Sequence, residues 1–209
     1  MADNGRHGST RTPPTLMNRG RNDSRPAGSV RIIGGRWRGT KLPVPDVPGL
    51  RPSSDRVRET LFNWLQAALP GANVLDLFAG TGVLGLEALS RGAATATLVE
   101  RDRSACAGLR DSIERLGATD VARLVQGDAL AWLGSVADIP FDIVFVDPPF
   151  ADDLWTKVMA GLMAHVAADA WLYVESAHGA RADPGPAWQL HREGMTREVE
   201  YRLYRRASA

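Results

Sequence analysis

The sequence predicts a doubly wound α/β fold, with a mainly parallel sheet of seven strands, helices on both faces and an antiparallel C-terminal hairpin. Three observations predict it. Between residues 73 and 176, short runs rich in Val, Leu, Ile and Phe alternate with stripes at helical spacing, the pattern of strands buried on both faces and joined by helical crossovers. The first run leads into VLDLFAGTGVLG, a glycine-rich strand-to-helix turn. Four successive runs end in, or are followed at once by, a carboxylate: Asp76, Glu100, Asp128 and Asp147.

Residues 1–29 are rich in Gly, Pro, Ser, Asn and Arg, and beyond Met1 only Leu16 and Met17 are sizeable apolar side chains. This stretch is expected to be a disordered basic tail. In RIIGGRWRGTKLPVP, Gly-Gly and Arg-Gly pairs interrupt β-formers, which predicts a small β-hairpin extension within residues 30–53. It carries Arg31, Arg36, Arg38 and Lys41 beside Trp37, cations and an aromatic on one ribbon, a surface suited to nucleic acid. From Asp55 the residues Val57, Leu61, Trp64, Leu65 and Ala68 fall at helical spacing, with Ser54 or Asp55 as N-cap and Pro70-Gly71 as the stop. This helix opens a domain expected to span residues 54–209.

The alternation then predicts strands over 73–78, 95–100, 121–126, 141–147 and 170–176. Helices are expected over 83–91, 103–116, 129–133 and 153–166, with stripes such as Ala105, Leu109, Ile113 and Leu116 marking buried faces. Over 188–205 the rhythm changes: Val199, Tyr201 and Leu203 alternate with charged neighbours, and Gly194 offers a turn between two strand-like runs.

With 209 residues, 44% hydrophobic and 23% charged, the chain fits one domain of ordinary size plus an appendage. No run approaches the roughly 20 apolar residues that cross a bilayer, and residues 1–20 lack the apolar core of a secretory signal. A cytoplasmic monomer, without membrane association, is the expectation. Cys106 is the sole cysteine and lies on a helix stripe, where packing is its expected role. The histidines at 7, 165, 178 and 191 lack ligand spacing, so no metal site is expected. The net charge of +1 conceals segregation: residues 1–60 hold 12 Arg and Lys against 5 Asp and Glu, and the remainder holds 13 against 19. A basic arm on an acidic body points the arm toward a polyanion, because phosphate attraction follows local cation density.

The glycines of the turn, Gly80, Gly82 and Gly85, match a nucleotide-binding spacing that is weakly specific by itself. Glu100, 20 residues after Gly80, is placed to accept the hydroxyls of a ribose. Asp76, Asp128 and Asp147 add what a dinucleotide site does not ask for: a rim of acids suited to an adenosine ligand with an amino-acid tail. The sharpest feature is Asp147-Pro148-Pro149-Phe150. An exocyclic amine on a nucleobase is a poor nucleophile, because its lone pair is delocalised into the ring. If the Asp147 carboxylate and the Pro148 carbonyl accept its two N–H bonds, they orient it and favour positive charge on nitrogen during attack. Phe150 would stack on the unpaired or flipped base.

These segments resemble the methyltransferase fold of class I that uses S-adenosylmethionine, in the subgroup with an (Asn/Asp/Ser)-Pro-Pro-(Tyr/Phe) motif. RIIGGRWRGTKLPVP, RPSSDRVRETLFNWL, VLDLFAGTGVLGLEALSRGA and DIVFVDPPF together resemble the RsmD family, whose members methylate the N2 amine of one guanine in 16S ribosomal RNA. The resemblance covers residues from about 30 to the end. It implies S-adenosylmethionine as cofactor, with Asp76, Gly80 and Gly82 around the methionine part, Glu100 on the ribose and Asp128 near the adenine. Phe78, Ala79, Thr81 and Ala129 belong to the same binding turns. It also implies Asp147, Pro148 and Phe150 at the amine, and as substrate 16S ribosomal RNA in the small subunit or its assembly intermediate. The match to RPSSDRVRE places Arg51, Arg56 and Arg58 at the cofactor and RNA entrance. Residues 1–29 depart from the family, so either the tail adds RNA affinity or Met17 is the start.

Three other readings are open at this stage. Asp-Pro-Pro-aromatic also suits the N6 amine of adenine in DNA, although no target-recognition domain accompanies it. A non-catalytic RNA-binding assembly factor would keep the fold and arm without turnover, and a dinucleotide oxidoreductase would use the glycine turn for a pyrophosphate.

Overall fold

The structure, a computed structural model, describes residues 1–2, 28–44, 54–135, 139–148, 152–180 and 183–207. Most of the expected tail, and residues 45–53 of the expected hairpin extension, lie outside these. In chain order the elements are β1 (Ser29–Arg31), a short 3-10 turn (Gly35–Trp37), β2 (Lys41–Pro43), α1 (Asp55–Trp64), β3 (Asn73–Asp76) and α2 (Val83–Ser90). Next come β4 (Thr95–Glu100), α3 (Arg103–Arg115), β5 (Ala122–Gln126), α4 (Ala129–Leu133), β6 (Phe141–Val146) and α5 (Asp152–Leu162). The strands β7 (Val166–Ala177), β8 (Trp188–Met195) and β9 (Val199–Arg206) complete the chain.

The seven strands β3 to β9 form one sheet in the order β5-β4-β3-β6-β7-β9-β8. Pairing from β5 through β7 is parallel, and β9 runs antiparallel to both β7 and β8. The central strands are buried on both faces, which is why they read as unbroken apolar runs, whereas the edge strand β8 is largely exposed. On β6, Ile143 and Phe145 belong to one core and Val144 and Val146 to the other, and none of the four is exposed. Helix starts are set by side-chain caps: the N–H of Val57 donates to Ser54 Oγ, that of Ala105 to Asp102 and that of Ala131 to Asp128. Each such cap stabilises its helix by about 1 kcal/mol.

Two expectations need correction. The helical stripe read over 153–166 ends at Leu162, and strand β7 begins at Val166, because Val166 pairs with Phe141 and sheet pairing captures the backbone. Gly194 is not the turn of the C-terminal hairpin but a strand residue paired with Tyr201. A Cβ there would lie 2.3 Å from the Tyr201 ring, so glycine makes room for the aromatic. The turn is made by Thr196, whose hydroxyl accepts from the N–H groups of Glu198 and Val199.

The N-terminal ribbon β1–β2 does not join the main sheet; it packs across α2 and α3. Its anchor is Glu87, a fully buried carboxylate on α2 that accepts from the N–H groups of Ile33 (2.7 Å) and Gly34 (2.8 Å). The same carboxylate pairs with Arg58 Nη1 at 3.3 Å and Arg91 Nε at 2.8 Å. Beside it the Ser90 hydroxyl donates to the Gly34 carbonyl and accepts from the Trp37 N–H. Gly35 has φ of 75°, and a Cβ there would fall 1.9 Å from the Ser90 carbonyl oxygen, so this contact requires glycine. The segments RIIGGRW, SDRVRE and LEALSRG therefore converge on one buried ionic junction.

The connection after β3 runs to β4 on one side and the connection after β6 runs to β7 on the other, so the two diverge between β3 and β6. At such a switch point folds of this kind bind ligands, in the crevice outside the carboxyl edge of the sheet.

Candidate active site at the carboxyl edge of the sheet

Four strand ends meet at the crevice. After β3 the chain turns through Phe78, Ala79, Gly80, Thr81 and Gly82 into α2, and the half-buried Phe78 lines its start. Gly80 and Gly82 have φ of 53° and 72°, values that side-chain-bearing residues rarely adopt. A Cβ on Gly82 would meet Leu109 at 2.3 Å, and one on Gly85 would meet Leu98 at 2.6 Å. Those two glycines bring α2 close to α3 and β4.

The amides of the three glycines are already committed. Gly80 N–H donates to Glu100 at 2.8 Å, Gly82 N–H to the Ala79 carbonyl at 2.6 Å, and Gly85 N–H to Asp76 at 3.0 Å. A pyrophosphate-binding turn leaves such donors for phosphate, so their use here argues against a dinucleotide. The other Glu100 oxygen accepts from Asp102 N–H at 2.7 Å, tying the turn after β4 to the turn after β3. A carboxylate has about four lone-pair positions, so Glu100 keeps capacity for hydroxyl donors.

Asp76 is buried at 3% exposure on the carboxyl end of β3. Burial pushes its pKa up to about 7, the Gly85 amide opposes this, and the Glu100 carboxylate adds to the rise. Asp128 is exposed, and one of its oxygens caps α4 through Ala131 N–H at 3.0 Å, with the buried Ala129 beside it. It therefore acts as a helix cap, and its second oxygen faces no partner among the described residues.

Asp147 follows β6, half-buried, and Pro148 next to it is buried. Burial, then the Glu175 and Asp76 carboxylates, hold the Asp147 pKa well above the usual carboxylate range. No Lys or Arg pairs with Asp76 or Asp147 among the described residues. Pro149 and Phe150, of which Phe150 is the expected stacking residue, lie outside them. Glu175 and Tyr173 on β7, absent from the expected site, line the same wall: both are buried, and the Tyr173 hydroxyl donates to Glu175 at 2.8 Å. A single Glu inside the apolar run LYVES was the signal that could have found them.

The expected RNA-contacting residues divide. Arg31, Arg36, Arg38, Lys41 and Arg56 are exposed, and Arg36 stacks over Trp37 with its guanidinium carbon 4.0 Å from the ring centroid. Arg51 lies outside the described residues. Arg58 is corrected: it has no exposure, donates to the Arg31 carbonyl at 2.9 Å and pairs with Asp55 and Glu87, so it holds the ionic junction instead of lining an entrance. Burial lowers its pKa, opposed by Glu87 and Asp55. Arg36 and Arg38 sit at the ribbon tip against the last turn of α2, at the end of that helix opposite the glycine turn. Eight residues of helix separate the two by about 12 Å.

Comparison with known proteins agrees with this geometry. The family described as Conserved hypothetical protein 95 matches residues 30–205. Ribosomal RNA small subunit methyltransferase D of Escherichia coli strain K12 is 50% identical over 183 residues, covering 86% of this chain and 91% of that protein. The protein of the same name from Haemophilus influenzae is 40% identical over 181 residues, covering 85% and 94%. A solved Escherichia coli structure, of the chain designated yhhF, superposes with a TM-score of 0.79 at 46% identity, covering 87% of this chain and 100% of that one. A match over nearly all of the folded region, which takes in the junction segments, the glycine turn and the Asp-Pro-Pro strand end alike, places this chain in the RsmD family.

Proposed function

We propose that this chain transfers a methyl group from S-adenosylmethionine to the exocyclic N2 amine of a guanine in 16S ribosomal RNA. It takes that RNA within the small ribosomal subunit or a partly assembled precursor. The observation that carries the reading is the placement of Asp147 and Pro148 at the carboxyl end of β6, across the switch point from the turn that Glu100 ties down.

The residues present fit the methyl donor. Asp76 and Asp147 are carboxylates without a counter-cation among the described residues, suited to a ligand that carries a sulfonium and an ammonium, and Glu100 retains acceptor capacity for ribose hydroxyls. When bound, the donor supplies an electrophilic methyl group. The chain's own residues do the rest by orientation and electrostatics. The Asp147 carboxylate and Pro148 carbonyl accept the two amine N–H bonds and hold the nitrogen toward the methyl group. The proton released from the methylated amine passes to solvent. Phe150, next in the motif, stacks on the extruded base. The exposed cations of the ribbon hold RNA phosphates remote from the reacting base.

The same acceptor pair would suit adenine N6 in DNA, but no observation favours that substrate. Transfer of labelled methyl groups decides: undermethylated small subunits should accept label and duplex DNA should not. Label on duplex DNA but not on subunits would overturn the reading.

A further inference from the structure

Glu175 has no place in the chemistry described so far, yet it is 5% exposed and lies within the reaction wall. The parallel ladder of β6 and β7 pairs Phe145 with Tyr173 and Val146 with Val174. One rung further are Asp147 and Glu175. Side chains two apart on a strand share a face, so both carboxylates stand on the side where the Phe145 and Tyr173 rings meet edge to face at 6.2 Å. Adjacent strands are about 4.8 Å apart.

We propose, building on the functional reading above, that Glu175 is a positioning residue of the reaction: held by the Tyr173 hydroxyl, it shares one proton with Asp147 and so sets when Asp147 is the anionic acceptor of the amine.

The groups around Asp147 leave few other sources of control. β3 brings Asp76, and β7 brings Tyr173 and Glu175. Tyr201 on β9 pairs with Glu175 in register. α1 brings Phe62 against Phe145 and commits its buried Arg58 to Asp55 and Glu87. The charges acting on Asp147 from these elements are both negative, those of Glu175 and Asp76. Two carboxylates on neighbouring rungs of a buried ladder do not both ionise freely, and the first to lose its proton raises the cost for the second. The Tyr173 hydroxyl, donating to Glu175, holds that carboxylate on the same face as Asp147, whose pKa it raises.

The test uses the full chain and two readouts. Carbon-13 NMR of the assigned Asp147 carboxyl should show, in the wild type, ionisation above the usual carboxylate range and in two steps. In Glu175→Gln the negative neighbour is gone, so Asp147 should ionise in one step at lower pH. In parallel, the acid limb of kcat/KM for methyl transfer should move to lower pH in Glu175→Gln. A wild-type Asp147 titrating in one step in the ordinary range overturns the proposal without any variant, so a Glu175→Gln protein that fails to fold leaves the test intact. A lowered rate plateau with an unmoved limb assigns Glu175 a purely structural role and also overturns it. Asp147→Ala separates the two levels. Retained methyl transfer in that variant overturns the functional reading and the positioning role with it. Lost transfer combined with an unmoved Asp147 titration in Glu175→Gln overturns the positioning role alone.

Discussion

Glu87, buried, and the crevice pair of buried Asp76 and half-buried Asp147 lie at opposite ends of α2, and the protein treats these carboxylates differently. Glu87, under the N-terminal ribbon, is saturated: two arginines and two backbone amides surround it. Asp76 and Asp147, at the crevice, have no cation among the described residues, and their pKa values rise as burial demands. A buried charge is tolerated when it is paired and fully hydrogen-bonded, and is costly otherwise. The saturated site is structural, fastening the ribbon to the helix. On the proposed function, binding supplies at the unsaturated site what folding left out, namely a cationic donor and an amine with N–H bonds to give.

The comparison can be broken first at the junction. Glu87→Ala leaves Arg58 and Arg91 without their common partner, and denaturant unfolding should show a loss of about 3–5 kcal/mol, the usual cost of breaking a buried ion pair. A loss below about 1 kcal/mol would mean that the ribbon is not fastened there. Gly35→Ala adds a Cβ against the Ser90 carbonyl at a positive φ, and should lower stability by about 1–3 kcal/mol.

At the crevice the expected effects on stability have the opposite sign. The folded pKa of Asp76, about 7, lies above its unfolded value of 3.8, so the native state binds the extra proton between them. Asp76 therefore costs nothing below that window, and its contribution makes the ligand-free protein less stable as pH rises through it. Asp76→Asn should flatten that decline in a pH series of thermal melts, and an unchanged slope would show that Asp76 ionises freely. The smallest effect belongs to the ribbon tip. Arg36→Ala and Arg38→Ala should each reduce the salt slope of RNA binding by about one, with no change in the fold.

Much of the fold could be read from the residues, because the parallel sheet writes itself as apolar runs and the helix caps at Ser54, Asp102 and Asp128 are local signals. What escaped reading were the residues whose role depends on partners distant in the chain. Arg58 looked like a surface cation beside Arg56, yet it lies on the buried stripe with Leu61, Phe62 and Leu65, at helical offsets of three, four and seven. Position on that stripe was the available clue, and only the fold supplies Glu87, 29 residues away, to neutralise it. Glu175 escaped for the same reason, since its relation to Asp147 comes from the register of β6 and β7. Gly194 reads as a turn because a glycine that opens a turn and one that yields space to a tyrosine are the same letter.

On the proposed function, the Asp147 carboxylate at the end of β6, which has no cation among the described residues, serves the reaction and not the fold. Asp147→Ala removes that acceptor and is read by mass spectrometry of 16S RNA from undermethylated small subunits incubated with each protein, alongside denaturant unfolding of both. Guanine N2 methylation should fall by about 10²–10³-fold, the effect of losing one preorganised polar contact at a reacting atom, while folding stability stays the same or rises. Methylation at the wild-type rate by a folded Asp147→Ala protein overturns the proposed role of Asp147.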